Sequence, residues 1–147
     1  MTFDSIHSDI ECNCIEGAVE DSSSAFLRTI DGNVPKERDF LSHWERYQRQ
    51  GKELPKGECD ELCGWKGVSV NKIDGYDEDE ISKTIKNRLL YLPQGKKKSI
   101  CRFRLDAGAG VVKHTPNESH GSHHDLYKCD DFDMNKIVDV LVSKVDL

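Results

Sequence analysis

Apolar positions along the chain fall into short, separated groups, and the period within each group predicts its element. Phe26-Leu27-Arg28-Thr29-Ile30 predicts a strand closed by the turn pair Asp31-Gly32. After Pro35, residues Phe40, Leu41, Trp44 and Tyr47 recur at one-turn spacing and predict a helix. Its other side carries Glu37, Arg38, Glu45, Arg46 and Arg49, with Gly51 at the C-terminal cap. Residues 52–64 read as a loop with a short turn at Cys59 to Cys63. Trp65 to Val70 predicts a strand in which Val68 and Val70 share one face and Ser69 points to the other.

Asp77 followed by Glu80 is a helix-start signature, and Ile81, Ile85 and Leu89 continue it as an amphipathic helix that Pro93 and Gly95 end. Cys101, Phe103 and Leu105 alternate with Arg102 and Arg104, the pattern of a half-buried strand. Gly108 and Gly110 break the chain before Val111-Val112, and a loop from Thr115 to His124 leads to a strand over Asp125 to Lys128. The segment from Asp133 to Leu147 starts as a helix capped by Asp133 and finishes as a strand through Val140, Val142 and Val145. About five short strands with two or three helices give an α+β class with a mainly antiparallel sheet.

Residues 1–24 carry no sustained period and end in Glu20-Asp21-Ser22-Ser23-Ser24, so they read as an acidic, mobile tail ahead of a single domain over 25–147. The tail holds six carboxylates and no Lys or Arg, while the rest of the chain balances 21 basic against 21 acidic residues. The net charge of −6 therefore belongs to the tail. Within the body, residues 83–113 hold nine basic residues against Asp106 alone, and residues 58–80 hold eight carboxylates against Lys66 and Lys72. This segregation predicts a basic surface for a small anionic ligand, for a protein partner, or for the tail itself.

No apolar run approaches a membrane span, so no membrane partner is expected, and no signal-peptide pattern opens the chain; a cytoplasmic protein is the expectation. In that compartment the six cysteines stay reduced. Zinc is the alternative, through Cys12 and Cys14, Cys59 and Cys63, or His120, His123, His124 and Cys129, but no combination has finger spacing and no metal is expected. Gly108-Ala109-Gly110 lacks the residues of a phosphate loop, and no Gly-x-Ser-x-Gly occurs. Candidate chemistry rests instead on the dense histidines 114, 120, 123 and 124 and on Arg28, a strand arginine suited to bidentate contact with phosphate or carboxylate.

The stretches FLRTI (26–30), DFLSH (39–43), WKGVSV (65–70) and HHDLY (123–127) resemble a group of small bacterial proteins of unassigned activity. An Arg on a first strand, a Ser on a second and a late His/Tyr site are also similar to ADP-ribosyltransferase-like and RES-type toxin domains. That resemblance implies NAD as cofactor, with Arg28 on a phosphate and Ser69 in the pocket wall. The transferases' catalytic Glu has no matched position, so His123 or Tyr127 would stand in for it. A non-catalytic module of the immunity or antitoxin kind, and a nucleic-acid binder using residues 83–113, are the alternatives.

Overall fold

Alternation on the Phe26 strand places Phe26, Arg28 and Ile30 on one face and Leu27 and Thr29 on the other, and both faces of this strand are covered. The computed structural model describes residues 1–90, 99–118 and 120–144. Its elements are α1 (Asp4–His7), β1 (Ala25–Ile30), a 3-10 turn (Glu37–Phe40), α2 (His43–Arg49), α3 (Cys59–Lys66), β2 (Val68–Lys72), α4 (Glu78–Leu90), β3 (Ser99–Leu105), β4 (Gly110–His114), β5 (His123–Lys128), a second 3-10 turn (Met134–Lys136) and β6 (Ile137–Lys144). The six strands form one antiparallel sheet in the order β4-β5-β2-β1-β3-β6. The α+β class is as expected, with six strands among the described residues where about five were predicted.

The main core lies on one face of the sheet. Phe26, Ile30, Val68, Val70, Cys101, Phe103, Leu105, Val112 and Leu126 all point there, and Phe40 from the first 3-10 turn closes over them. Phe40 meets Phe103 edge-on with ring centres 5.2 Å apart, a favoured aromatic geometry. The predicted helix over Phe40 to Tyr47 is split in two. Ser42 takes an extended backbone, accepts from the Glu45 amide and donates its own amide to the Glu45 carboxylate, so α2 starts afresh there. On the opposite face Ile81 and Ile85 of α4 line an apolar cavity together with Leu27 and Ile100, and the start of α4 is capped as predicted by Asp77, which accepts from the Glu80 amide.

Two expectations are corrected by α3. The segment read as a loop is helical from Cys59, and Trp65 and Lys66 belong to that helix, so β2 begins only at Val68. The C-terminal segment carries a single 3-10 turn at its start, capped by Asp133, and then runs as strand. Pro93, Gly95, the lysines 96–98 and Val145 lie outside the described residues.

The first 24 residues are not a free tail in this structure. Ile6 and Cys14 are buried against Tyr127. Cys12 is bonded to Cys59 and Cys14 to Cys63, which fastens the segment to two successive turns of α3. Four of the six cysteines are therefore disulfides where free thiols were expected; Cys101 and Cys129 are free and buried. Near the start, the Asp130 carboxylate accepts from the Thr2 hydroxyl, the Asp4 and Ser5 amides and the Ser5 hydroxyl. Val19 pairs with Val112, covering part of the outer edge of β4. Among the described residues, the acidic side chains of this strap form ion pairs with lysines of the body's acidic stretch, Asp9 with Lys66 and Asp21 with Lys72. No described helix is long and apolar enough to cross a membrane.

Candidate functional site

Antiparallel partners point to the same side of a sheet, so the register fixes which candidates can meet. Ser69 is opposite Asp125 and Asn71 is opposite His123, and all four side chains leave on the face under α4. Arg28 is opposite Cys101 and lies on the core face. The structure thus brings Ser69 and His123 together and separates both from the Arg28 backbone.

Ser69 Oγ lies 2.7 Å from His123 Nε2. On the far side of the imidazole, Nδ1 is 3.0 Å from the Thr115 carbonyl oxygen and 2.8 Å from the Thr115 hydroxyl. A carbonyl only accepts, so Nδ1 carries the proton and Nε2 must accept from the Ser69 hydroxyl. Burial lowers the His123 pKa to about 4 against the opposing pull of the Thr115 carbonyl bond, and the Arg88 charge adds to the lowering; the ring is neutral at pH 7. The Thr115 hydroxyl in turn bonds the buried Asp125 carboxylate, whose pKa is pushed up to about 6 by burial.

Arg88 reaches this group from the last turn of α4. Its Nε donates to the Asn71 side-chain oxygen, and one terminal nitrogen donates to the Ser69 carbonyl at 3.1 Å and to Ser69 Oγ at 3.2 Å. The predicted residue Arg28 arrives at the same carbonyl from the core side. One of its terminal nitrogens donates to Ser69 O at 2.5 Å, while Nε donates to Asp39 O at 2.5 Å. Burial depresses both guanidiniums, Arg28 to about 9 and Arg88 to about 10. Neither forms an ion pair with a carboxylate among the described residues. Two cations therefore converge on one peptide carbonyl.

Ser69, Asn71, Arg88, His120 and His123 line a cavity of about 190 Å³. His120 Nδ1 is buried without a hydrogen-bond partner among the described residues, and burial lowers its pKa. Tyr127, the other predicted site residue, is elsewhere. It is buried beneath α3 and the strap, donates its hydroxyl to the Cys63 carbonyl at 2.9 Å, and does not line the cavity. Arg88, Asn71 and Thr115 were not foreseen as site residues. Arg88 follows Ile81 and Ile85 on an inward stripe, one position before Leu89, and a cation so placed was the available signal. No group of His, Cys, Asp or Glu among the described residues is arranged to hold a metal ion.

Fold and cavity define an α+β protein with a six-stranded antiparallel sheet and a polar pocket under one helix. No family model, no curated protein and no solved structure matches the chain.

Proposed function

We propose that the protein binds a small oxyanion, a phosphate or carboxylate group, in the cavity under α4, with Arg88 as its principal contact. The observation that carries this reading is the buried Arg88 guanidinium, which lines the cavity and donates to Asn71 and Ser69 without a carboxylate partner among the described residues, while Arg28 on the other side of Ser69 O has the Asp39 charge beside it. Burying unpaired charge is costly, and an anion in the cavity offsets that cost. The Ser69 hydroxyl, the Asn71 amide and His120, whose Nδ1 has no hydrogen-bond partner among the described residues, supply the polar lining such a ligand needs.

NAD, the cofactor implied by the resemblance, would place only a phosphate in so small a volume, and on Arg88. The role first given to Arg28 passes to Arg88 because the Arg28 guanidinium is held by Asp39 O and Ser69 O. The two disulfides favour an oxidising compartment over the cytoplasmic setting expected from sequence.

Thermal unfolding with inorganic phosphate, pyrophosphate or NAD tests the reading. A ligand at ten times its Kd adds about 1.4 kcal/mol, which raises Tm by roughly 3–6 °C for a chain of this size. Arg88→Gln should abolish the rise. Unchanged melting of the native chain with all three ligands would overturn the proposal.

A further inference from the structure

The hydrogen bonds around Ser69 run in one direction. Arg88 donates to Ser69 Oγ, Ser69 donates to His123 Nε2, His123 Nδ1 donates to Thr115, and the Thr115 hydroxyl bonds Asp125. Each polarity is forced by its neighbours, because a guanidinium can only donate and a carboxylate, once ionised, can only accept. The chain thus spans a cation and a carboxyl group, with a serine hydroxyl and a neutral imidazole between them. Such a chain draws the hydroxyl proton toward Nε2 and stabilises negative charge on Oγ through Arg88. Ser69 is half-buried and is one of the residues that line the cavity.

We propose that Ser69 is a nucleophile that takes a phosphoryl group from a small phosphate monoester bound in this cavity, with His123 as its base. The proposal rests on the oxyanion reading above. Ser69 Oγ attacks phosphorus as its proton passes to His123 Nε2; the Oγ–P bond forms and the ester P–O bond breaks. The leaving oxygen takes the proton back from His123. Water then attacks the phosphoserine and gives a proton to His123 Nε2 as its oxygen bonds phosphorus; the Oγ–P bond breaks, Oγ takes that proton back from Nε2, and inorganic phosphate leaves, so neither an oxidant nor a substrate besides water is required. Arg88 neutralises the phosphoryl oxygens during both displacements. The substrate dianion favours the imidazolium, countering the burial that lowers the His123 pKa. Thr115 and Asp125 are positioning residues that hold the imidazole with Nε2 toward Ser69. A cavity of about 190 Å³ restricts the substrate to a phosphoryl group with a small or outward-projecting alcohol.

The experiment uses the whole disulfide-bonded chain with p-nitrophenyl phosphate. Release of p-nitrophenolate is followed, acid-quenched samples are digested, and the peptide spanning residue 69 is weighed by mass spectrometry. We expect phosphoserine at Ser69, a release rate lost in Ser69→Ala, and a fall of about 10²–10⁴-fold in His123→Asn. Thr115→Val should shift the pH profile of release, which a purely structural role would leave in place. Phosphate-induced thermal stabilisation is measured on every variant. If Ser69→Ala keeps the phosphate shift while native and variant release product equally fast, the nucleophile proposal fails and the oxyanion pocket stands. Loss of the phosphate shift in the native chain removes both.

Discussion

Asp125 offers the sharpest test of the polar chain behind Ser69. Its carboxyl group is buried between β2 and α3, where Gly67 leaves just enough room for it. Burial raises its pKa from 3.8 to about 6, the Thr115 hydrogen bond and the Lys113 charge pulling weakly the other way. The folded pKa is above the unfolded one, so the fold binds more protons between those values and loses stability as pH rises through them. A shift of about two units corresponds to ~3 kcal/mol, all of it absent below pH 4 and fully felt above pH 7. Asp125→Asn keeps the shape and the acceptor but cannot ionise. Urea unfolding of both chains at pH 4 and pH 8 should show the variant gaining about 2–3 kcal/mol on the native protein between the two pH values. A gap that stays constant across that range would refute the account of Asp125 as a carboxyl ionised against its environment.

The neighbouring groups give further expectations. His123 has the opposite sign: its folded pKa is about 4, below the ordinary imidazole value of 6.5, so its contribution is present above pH 6.5 and lost as pH falls to 4. His123→Gln should therefore gain on the native chain as pH is lowered, by about 1–2 kcal/mol once partial exposure is allowed for, measured by the same urea titrations. Gly67→Ala should destabilise the fold by about 1–3 kcal/mol, since its new methyl would lie 2.7 Å from Asp125 Cβ; equal urea midpoints would contradict that packing. Either disulfide closes almost the same loop, with sequence separations of 47 and 49. Replacing all four of their cysteines by serine should cost about 4 kcal/mol, and Cys12→Ser with Cys59→Ser alone only a fraction of it, as read from guanidinium midpoints.

The elements legible in the sequence were those whose burial follows a simple period. Cys101, Phe103 and Leu105 face the core with Arg102 and Arg104 away from it, as alternation requires, and Asp77 caps α4 where its spacing to Glu80 predicted. The faces of Val68, Ser69 and Val70 were also readable, and with them half of the site. What escaped was set by tertiary contacts. α3 has a weak apolar pattern, with Lys66 as its buried residue, and the covalent bonds from exposed Cys59 and half-buried Cys63 to the strap do the work that a hydrophobic stripe does elsewhere. The strap has no period because Ile6, Cys14 and Asp130 fix it at separate points. The break before α2 was signalled by Ser42 and Glu45, a capping box obscured by the continuous apolar stripe from Phe40 to Tyr47. The role of Arg28 could not be read because Arg28 Nε and a terminal nitrogen bond carbonyls 11 and 41 residues away.

The bonds from Asp130 to Thr2, Asp4 and Ser5 join residues at least 125 positions apart. On a ribosome, this strap leaves the exit tunnel long before the strand that Asp130 follows has been made. The cluster that its apolar side chains Phe3, Ile6 and Ile10 join is completed only when Tyr127 is in place. Nascent chains halted short of residue 130 should therefore remain open to proteases at their amino ends, and resistance should arrive abruptly once β5 emerges.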